Sequence, residues 1–315
     1  MKVAILGAGA MGAMVGARLT KAGHDVTAID VWQEHVDKIN KDGLTLQIRG
    51  KDASQWPLKA TTDYNAIKGP VDLVIVFVKG TFTKSAMQAA KVFIGPDTYI
   101  LTIQNGVGNA DTIAEVVPAD QVVVGVTVCS ATLIEAGTVN DTSERIPGQC
   151  GTHICSFTKK NNARVDEIAK ALTDAEIPTD VFADVDVIIW EKLAVNCTAN
   201  GPCVLTRVNM DTMVNNPYGP RMHDQIVQEL VAVAKAKGII LDYDKVRNNV
   251  AAIHKGNTHH PSMAQDAFKK RPTEIDTISG AVVRGGKEHG IPTPVNETVY
   301  NLVHIIQDNY DKRWY

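Results

Sequence analysis

Lys2-Val-Ala-Ile-Leu-Gly-Ala-Gly-Ala-Met-Gly12 decides how this chain begins to fold. The apolar run Val3–Leu6 breaks into Gly7-x-Gly9-x-x-Gly12, and a helix-period segment of small residues, Ala13–Ala22, follows as far as Gly23. That pattern is a strand, a tight turn and a helix whose free N–H groups point beyond the strand end. Gly7 supplies a backbone conformation that a Cβ would forbid. Gly9 lets the main chain approach a ligand, and Gly12 lets the helix sit tight on the strand. The positive end of the helix dipole then suits a pyrophosphate, so Gly7, Ala8, Gly9, Ala10, Met11 and Gly12 read as a cofactor loop.

A glycine turn alone is a weak motif, but here the context agrees with a dinucleotide-binding unit. A second strand, Asp25-Val-Thr-Ala-Ile-Asp30, ends in an acid where a ribose-binding carboxylate is expected. Such a carboxylate accepts hydrogen bonds from an adenosine ribose and repels a 2′-phosphate. Val31-Trp-Gln-Glu-His35 offers no Arg or Lys to receive one. Asp30 therefore favours NAD over NADP; the plainer reading of Asp30 is a solvated strand end.

The chain has 315 residues, a formal net charge of −3 and 44% hydrophobic residues, which suits a globular protein of two domains. No basic stripe suggests nucleic acid, and no polybasic helix or long apolar run suggests a membrane. The first strand starts at residue 2, which leaves no room for a signal peptide and predicts a cytoplasmic protein. The five cysteines are odd in number and scattered, as in a reduced compartment. Cys150-Gly-Thr-His-Ile-Cys155 has no second pair to complete a metal site, and Thr152, Ile154 and Ser156 alternate as in a strand, so no metal is expected.

Further along, Glu34–Lys41 reads as a helix closed by Gly43, and Leu44–Pro57 as a polar β-ribbon excursion. Val71–Val78 is nearly all apolar, like a parallel strand buried on both faces, and runs into Lys79-Gly80. A helix over Thr83–Phe93 precedes a strand over Thr98–Ile103, which runs into Gln104-Asn105-Gly106; Val122–Val128 is a further strand. Gly137–Phe157 turns to period two, predicting antiparallel strands that finish the sheet. Ala163–Ala175 is a helix and Thr179–Phe182 a last strand. Alternation then stops. Helices are expected over Val185–Ala199, Pro220–Lys237, Tyr243–His254, Ser262–Lys269, Thr273–His289 and Pro294–Asp308, with Trp190 and Tyr218 in the core. The domains are therefore 1–183 and 184–315.

The first of those helices carries Lys192, Asn196 and Asn200 at i, i+4 and i+8, on one face. Asn is a poor helix former, so two on one stripe favour a polar pocket wall over a solvated face. Ser262 and Glu274 are the other candidates, the plain reading of Glu274 being an acid that complements a helix N-terminus.

Gly7-Ala-Gly-Ala-Met-Gly12, Val78-Lys79, Gln104-Asn105-Gly106, Trp190-Glu-Lys192 with Asn196 and Asn200, Pro261-Ser262-Met263 with Gln265-Asp266, and Thr273-Glu274-Ile-Asp276 with Gly280 occur in this order over nearly the whole chain. In these motifs the sequence resembles the ketopantoate reductase (2-dehydropantoate 2-reductase) family. The resemblance implies an α/β fold with an N-terminal Rossmann domain, an all-α C-terminal domain, and an active site between the two. It implies hydride transfer from a nicotinamide to a 2-oxo acid, giving the D (R) 2-hydroxy acid, and a place in pantothenate biosynthesis. Lys192 would then be the general acid, with Glu274 holding it and contacting the substrate's hydroxyl oxygen. Asn196, Asn200 and Ser262 would bind the substrate's carboxylate and polar groups. Asn105 would place the nicotinamide ribose, and Lys79 would lie beside the cofactor. The departure is Asp30, where NADP-using members carry a basic residue just after the second strand. NAD-dependent D-2-hydroxyacid dehydrogenases of the D-mandelate type share this fold, so the substrate is ketopantoate or a related branched or aromatic 2-oxo acid.

Two further readings compete. One makes His259 or His260 the acid, since imidazole titrates near neutrality, although that loop suits capping of the next helix better. The other is a non-catalytic, dinucleotide-sensing protein on the same scaffold. Apolar helical faces in the second domain suit a homodimer.

Overall fold

The computed structural model of the chain describes residues 1–143 and 151–312. It divides into two compact units: Met1–Gln104 with Asn109–Val185, and Asp186–Tyr315 with the short loop Asn105–Gly108. The first is an α/β unit with a mostly parallel, Rossmann-type sheet, and the second is helical.

In the α/β unit the strands are β1 (Lys2–Leu6), β2 (Asp25–Ile29), β3 (Leu44–Ile48), β4 (Ser54–Trp56), β5 (Lys59–Thr61), β6 (Leu73–Val76), β7 (Tyr99–Thr102), β8 (Val122–Thr127), β9 (Ala131–Glu135), β10 (Thr138–Asp141), β11 (Thr152–Ser156) and β12 (Thr179–Val181). The helices are α1 (Ala10–Lys21), α2 (Gln33–Asp42), α3 (Thr83–Ala90), α4 (Asn109–Ala114) and α5 (Ala163–Asp174). Among the described residues the main sheet runs β12-β11-β8-β7-β6-β1-β2-β5. Pairing is parallel from β5 to β8, and β11 joins β8 antiparallel. The order reverses at β1, so the β1 turn opens at a switch point, where ligands bind in such sheets. Successive residues of the central strands face opposite cores. Val3, Ile5, Leu73 and Ile75 pack with α1, and Ala4, Leu6, Val74 and Val76 pack with α3.

Three sequence expectations for this unit need revision. Leu44–Pro57 is no polar excursion: Leu44 and Leu46 are fully buried, and Trp56 nearly so, in the α1-side core. Of the strands expected over Gly137–Phe157, β11 does join the main sheet antiparallel, beside β8, but β10 does not: with β9 it joins β3 and β4 in a second sheet, β4-β3-β10-β9. Period-two patterning marks a strand with two different faces but cannot say which sheet receives it. β5, only three residues long, was not anticipated and closes the edge beside β2. Cys150 and part of the expected Gly137–Phe157 strands lie outside the described residues. A buried ion pair ties the second sheet to α1: the solvent-shielded Arg18 reaches Asp141 at 2.7 Å and Glu176 at 2.6 Å.

The helical unit comprises α6 (Asp186–Thr206), α7 (Met210–Asn215), α8 (Gly219–Ala236), α9 (Tyr243–His254), α10 (Ser262–Phe268), α11 (Ser279–His289) and α12 (Pro294–Asp308). α6 runs a further two turns beyond the expected stop at Ala199, through Gly201-Pro202. Both residues have packing reasons. A Cβ on Gly201 would lie 2.3 Å from Val299 of α12, so the two helices meet there at close range. Pro202, buried like Gly201, has no N–H for the Thr198 carbonyl one turn back, and the buried His223 of α8 lies beside that backbone group. α11 begins at Ser279, six residues later than expected. Thr273 caps nothing there, because its N–H and hydroxyl both bond Gln307 of α12, at 2.7 and 2.8 Å. The short α7, capped by Asn209, was not anticipated. Trp190 is in the core, but Tyr218, at the N-cap position of α8, is 73% exposed. No helix among the described residues is long and apolar enough to cross a membrane.

Candidate active site

The β1–α1 turn is fixed by its own backbone. Gly7 and Ala8 both donate their N–H to Ile29 O, at 2.8 and 3.2 Å, which ties the turn to the end of β2. Gly7 has φ +93°, and a Cβ there would sit 2.8 Å from Val78 N, so no other residue fits. A Cβ on Gly12 would come within 1.9 Å of Gly7 O, whereas one on Gly9 would meet nothing within 4 Å. Two glycines are thus filled by neighbours, and the third faces open space. α1 starts there with no side-chain cap and no acid in its first turn. This open, uncapped helix start fits the phosphates of a dinucleotide. Asp30 follows β2, partly exposed, and its carboxylate accepts the Trp32 N–H at 3.0 Å.

Beyond β6 and β7 the chain turns at Lys79 and at Gln104-Asn105. The Gln104 amide joins these segments: Nε2 donates to Val78 O and to Thr83 Oγ1 (3.0 Å), and Oε1 accepts from Thr102 Oγ1 (2.8 Å). Lys79, next to Val78 and partly buried, is held by that link through its neighbour.

In the helical unit Lys192, Asn196 and Asn200 follow one another at four-residue spacing along α6. Lys192 Nζ donates to Asn105 Oδ1 at 2.9 Å. Asn200 is 4% exposed and committed twice, its Nδ2 donating to Asn196 Oδ1 at 3.3 Å and its Oδ1 accepting the Met263 N–H at 3.1 Å. It therefore caps α10, whose first residue is Ser262, exposed. Glu274 lies, half-buried, in the turn before α11. The same turn clamps the Asn105 loop, because Thr277 O accepts the Val107 N–H at 2.8 Å. A Cβ on Gly106 would come within 2.2 Å of that carbonyl, which explains the glycine after Asn105.

His259 and His260 are exposed; His260 packs edge-on against Phe268, and no side chain caps α10 from that loop. Cys197 and Cys203 are buried, which pushes both thiols up to about 12 and keeps them protonated and inert. Among the described residues no group of three or more His, Cys, Asp or Glu could hold a metal. Sequence reasoning assigned no role to Gln104 or to His35, a fully buried ring against the glycine turn. Adjacency to Asn105 was the one available signal for Gln104; nothing marked His35.

A glycine-turn α/β unit followed by a helical unit with a lysine near its start is the architecture of a dinucleotide-dependent oxidoreductase. The family model "Ketopantoate reductase PanE/ApbA" matches residues 3–147, and its C-terminal counterpart matches residues 184–307. The chain belongs to the ketopantoate reductase family. It is 33% identical over 311 residues to a 2-dehydropantoate 2-reductase of Halobacterium salinarum, covering 98% of this chain and 99% of that one. A ternary structure of D-mandelate dehydrogenase with NADH and anilino(oxo)acetate superposes with a TM-score of 0.90 at 32% identity, over 99% of this chain and 100% of that one. A PanE/ApbA family ketopantoate reductase from Ralstonia eutropha gives a TM-score of 0.89 at 30% identity, with coverage of 99% and 100%.

Proposed function

We propose that this oxidoreductase reduces ketopantoate or a related branched 2-oxo acid to the D (R) 2-hydroxy acid, with Lys192 as the general acid. The observation that carries the reading is the 2.9 Å hydrogen bond from Lys192 to Asn105. It couples the proposed proton donor to the residue proposed to hold the nicotinamide ribose. When bound, the reduced nicotinamide supplies the hydride that adds to the carbonyl carbon. Lys192 supplies the proton that the carbonyl oxygen gains, and its ammonium stabilises negative charge as it develops there. Glu274 holds Lys192 and contacts the substrate's hydroxyl oxygen. Asn196, Asn200 and Ser262 receive the carboxylate and polar groups of the substrate; Asn200, already bonded twice, has one amide hydrogen left for this. The glycine turn Gly7–Gly12 receives the pyrophosphate, and Lys79 lies beside the cofactor.

Asp30 supports NADH over NADPH, since a carboxylate repels a 2′-phosphate. A second reading, a D-2-hydroxyacid dehydrogenase of the D-mandelate type outside pantothenate synthesis, draws on the same residue and on the 32% identity to the NADH-bound D-mandelate dehydrogenase. A homodimer built on the helical unit belongs to both readings. Leu302 and Ile305, three residues apart on α12 and 43% and 60% exposed, support it. Light scattering on the purified chain reads the mass.

Turnover of ketopantoate, 2-oxoisovalerate, 2-oxoisocaproate and phenylglyoxylate with NADH and with NADPH tests the assignment. Highest kcat/KM for ketopantoate with NADH is expected. Preference for phenylglyoxylate selects the second reading, preference for NADPH overturns the role of Asp30, and inactivity on all four overturns the reductase reading.

A further inference from the structure

His35 lies on α2, has no role in the site described above, and is fully buried. Both ring nitrogens are engaged. Nε2 lies 2.8 Å from the carbonyl oxygen of Ala8, inside the glycine turn. Nδ1 accepts the N–H of Gly137, in the β9–β10 turn of the second sheet, at 2.9 Å. A backbone N–H can only donate, so Nδ1 is the acceptor and the proton sits on Nε2, pointing at Ala8. Trp32 stacks on the ring at 5.4 Å with an interplanar angle of 11°, which fixes its plane.

The consequence is directional. Ala8 O and Gly9 N–H belong to one trans peptide, and in a trans peptide the two groups point in opposite directions. A carbonyl held by His35 turns the Gly9 N–H the opposite way, and Gly9 is an open position, since a Cβ there would meet no atom of the described residues within 4 Å. We infer that His35 is a positioning residue for the dinucleotide: it aims the Gly9 N–H at the pyrophosphate, and the second sheet holds His35 in the tautomer that does so. The small sheet is thereby coupled to cofactor affinity. Gly137 is suited to this post, because with φ +72° and Lys38 Cγ 2.4 Å from where a Cβ would lie, a side chain there moves the turn.

This inference rests on the reading of the glycine turn as the pyrophosphate site. The test is a fluorescence titration of the full chain with NADH, beside steady-state kinetics on the best 2-oxo acid. His35→Phe keeps the stacking and removes both hydrogen bonds. It should raise the Kd for NADH about tenfold, the size of one buried hydrogen bond. The kcat at saturating NADH should stay within about twofold, because Lys192 and its partners are untouched. His35→Gln, which can still donate to Ala8 O, should recover part of the affinity. Gly137→Ala should weaken NADH binding without altering the ring. A Kd within about twofold of wild type in His35→Phe, with lowered thermal stability alone, overturns the inference. Should His35→Phe not fold, an unchanged Kd in both other variants overturns it equally. Wild-type protein that binds neither NADH nor NADPH defeats the functional reading and this inference together, whereas wild-type binding with indifferent variants defeats only this inference.

Discussion

His35 in the α/β unit and the pair His223 and His254 in the helical unit are all shielded from solvent, yet they are held in opposite ways. Both nitrogens of His35 meet backbone groups, so its tautomer is set and its ring acts as a joint. His223 and His254 meet edge-on, with centroids 5.1 Å apart, and among the described residues His223 Nε2 and both nitrogens of His254 have no hydrogen-bond partner. Burial lowers both basicities, and His223 is brought down to about 4 by burial first and then by its neighbour His254. The contrast runs through the two units. In the α/β unit the groups around the cofactor loop are main-chain amides and carbonyls with buried side chains as braces. In the helical unit the site is made of side chains bonded to side chains, Lys192 to Asn105 and Asn200 to Asn196. Damage should separate accordingly, with cofactor affinity tracking the first unit and chemistry the second.

The largest expected effect is that of Lys192→Ala. Losing a positioned general acid costs about 10²- to 10⁴-fold in turnover. The Kd for NADH should stay within about threefold, because the glycine turn proposed to bind it is braced elsewhere. Stopped-flow hydride transfer and a fluorescence titration separate the two quantities. An equal loss in both would erase the division of labour, and an unimpaired variant would remove Lys192 from the chemistry.

The two kinds of site also differed in how far sequence could foretell them. Gly7 and Gly12 were legible because backbone geometry leaves a residue-type signature: positive φ favours glycine, and main-chain atoms standing where a Cβ would lie admit nothing else. The position of Asp30 just after β2 was legible from the strand pattern; which cofactor it selects is a proposal. Lys192, Asn196 and Asn200 announced a shared face through helical spacing, but their roles came only from resemblance to a family. Spacing says which residues share a side of a helix, never what faces them. The Asn200 contact with Met263 could not be foreseen, since it depends on where a distant helix begins. The same limit explains α6. A Gly-Pro pair is a helix stop by local rules, and it persists here because α12 needs the space at Gly201, where a Cβ would lie 2.3 Å from Val299. Tertiary partners, which no local window contains, overrode propensity.

Acid should sharpen the histidine contrast, with an intermediate effect. A histidine whose folded-state pKa lies below its unfolded value stabilises the fold fully above pH 6.5. Between pH 6.5 and about 4 the unfolded chain binds the proton and the folded one does not, so stability falls as pH falls. For His223 alone the loss from pH 7 to pH 5 is roughly 2 kcal/mol, and His254 adds to it in the same direction. Urea unfolding followed by circular dichroism at several pH values reads this. His223→Gln, with no titrating ring, should flatten the slope in that window although it lowers stability at pH 7. An unchanged slope would assign acid sensitivity to other groups.

The smallest expected effect comes from Asn200→Ala, and it separates the two duties of a residue inside the site. Its Oδ1 caps the buried Met263 N–H at the start of α10, and its Nδ2 fixes the Asn196 carbonyl oxygen. Loss of a helix cap costs about 1 kcal/mol. Stability should therefore fall by that amount, with no dependence on pH between 5 and 7, unlike the histidine pair. Loss of the second bond frees the Asn196 amide to rotate, and with it the group proposed to receive the substrate's carboxylate. KM for the 2-oxo acid should then rise about tenfold with kcat down by less than about threefold, because Lys192 keeps its bond to Asn105. A fall in stability with KM unchanged would make Asn200 a cap and nothing more, leaving Asn196 and Ser262 to hold the substrate. A loss confined to kcat would mean that the α6 stripe acts as one unit with Lys192, and that chemistry and substrate binding do not divide along this helix.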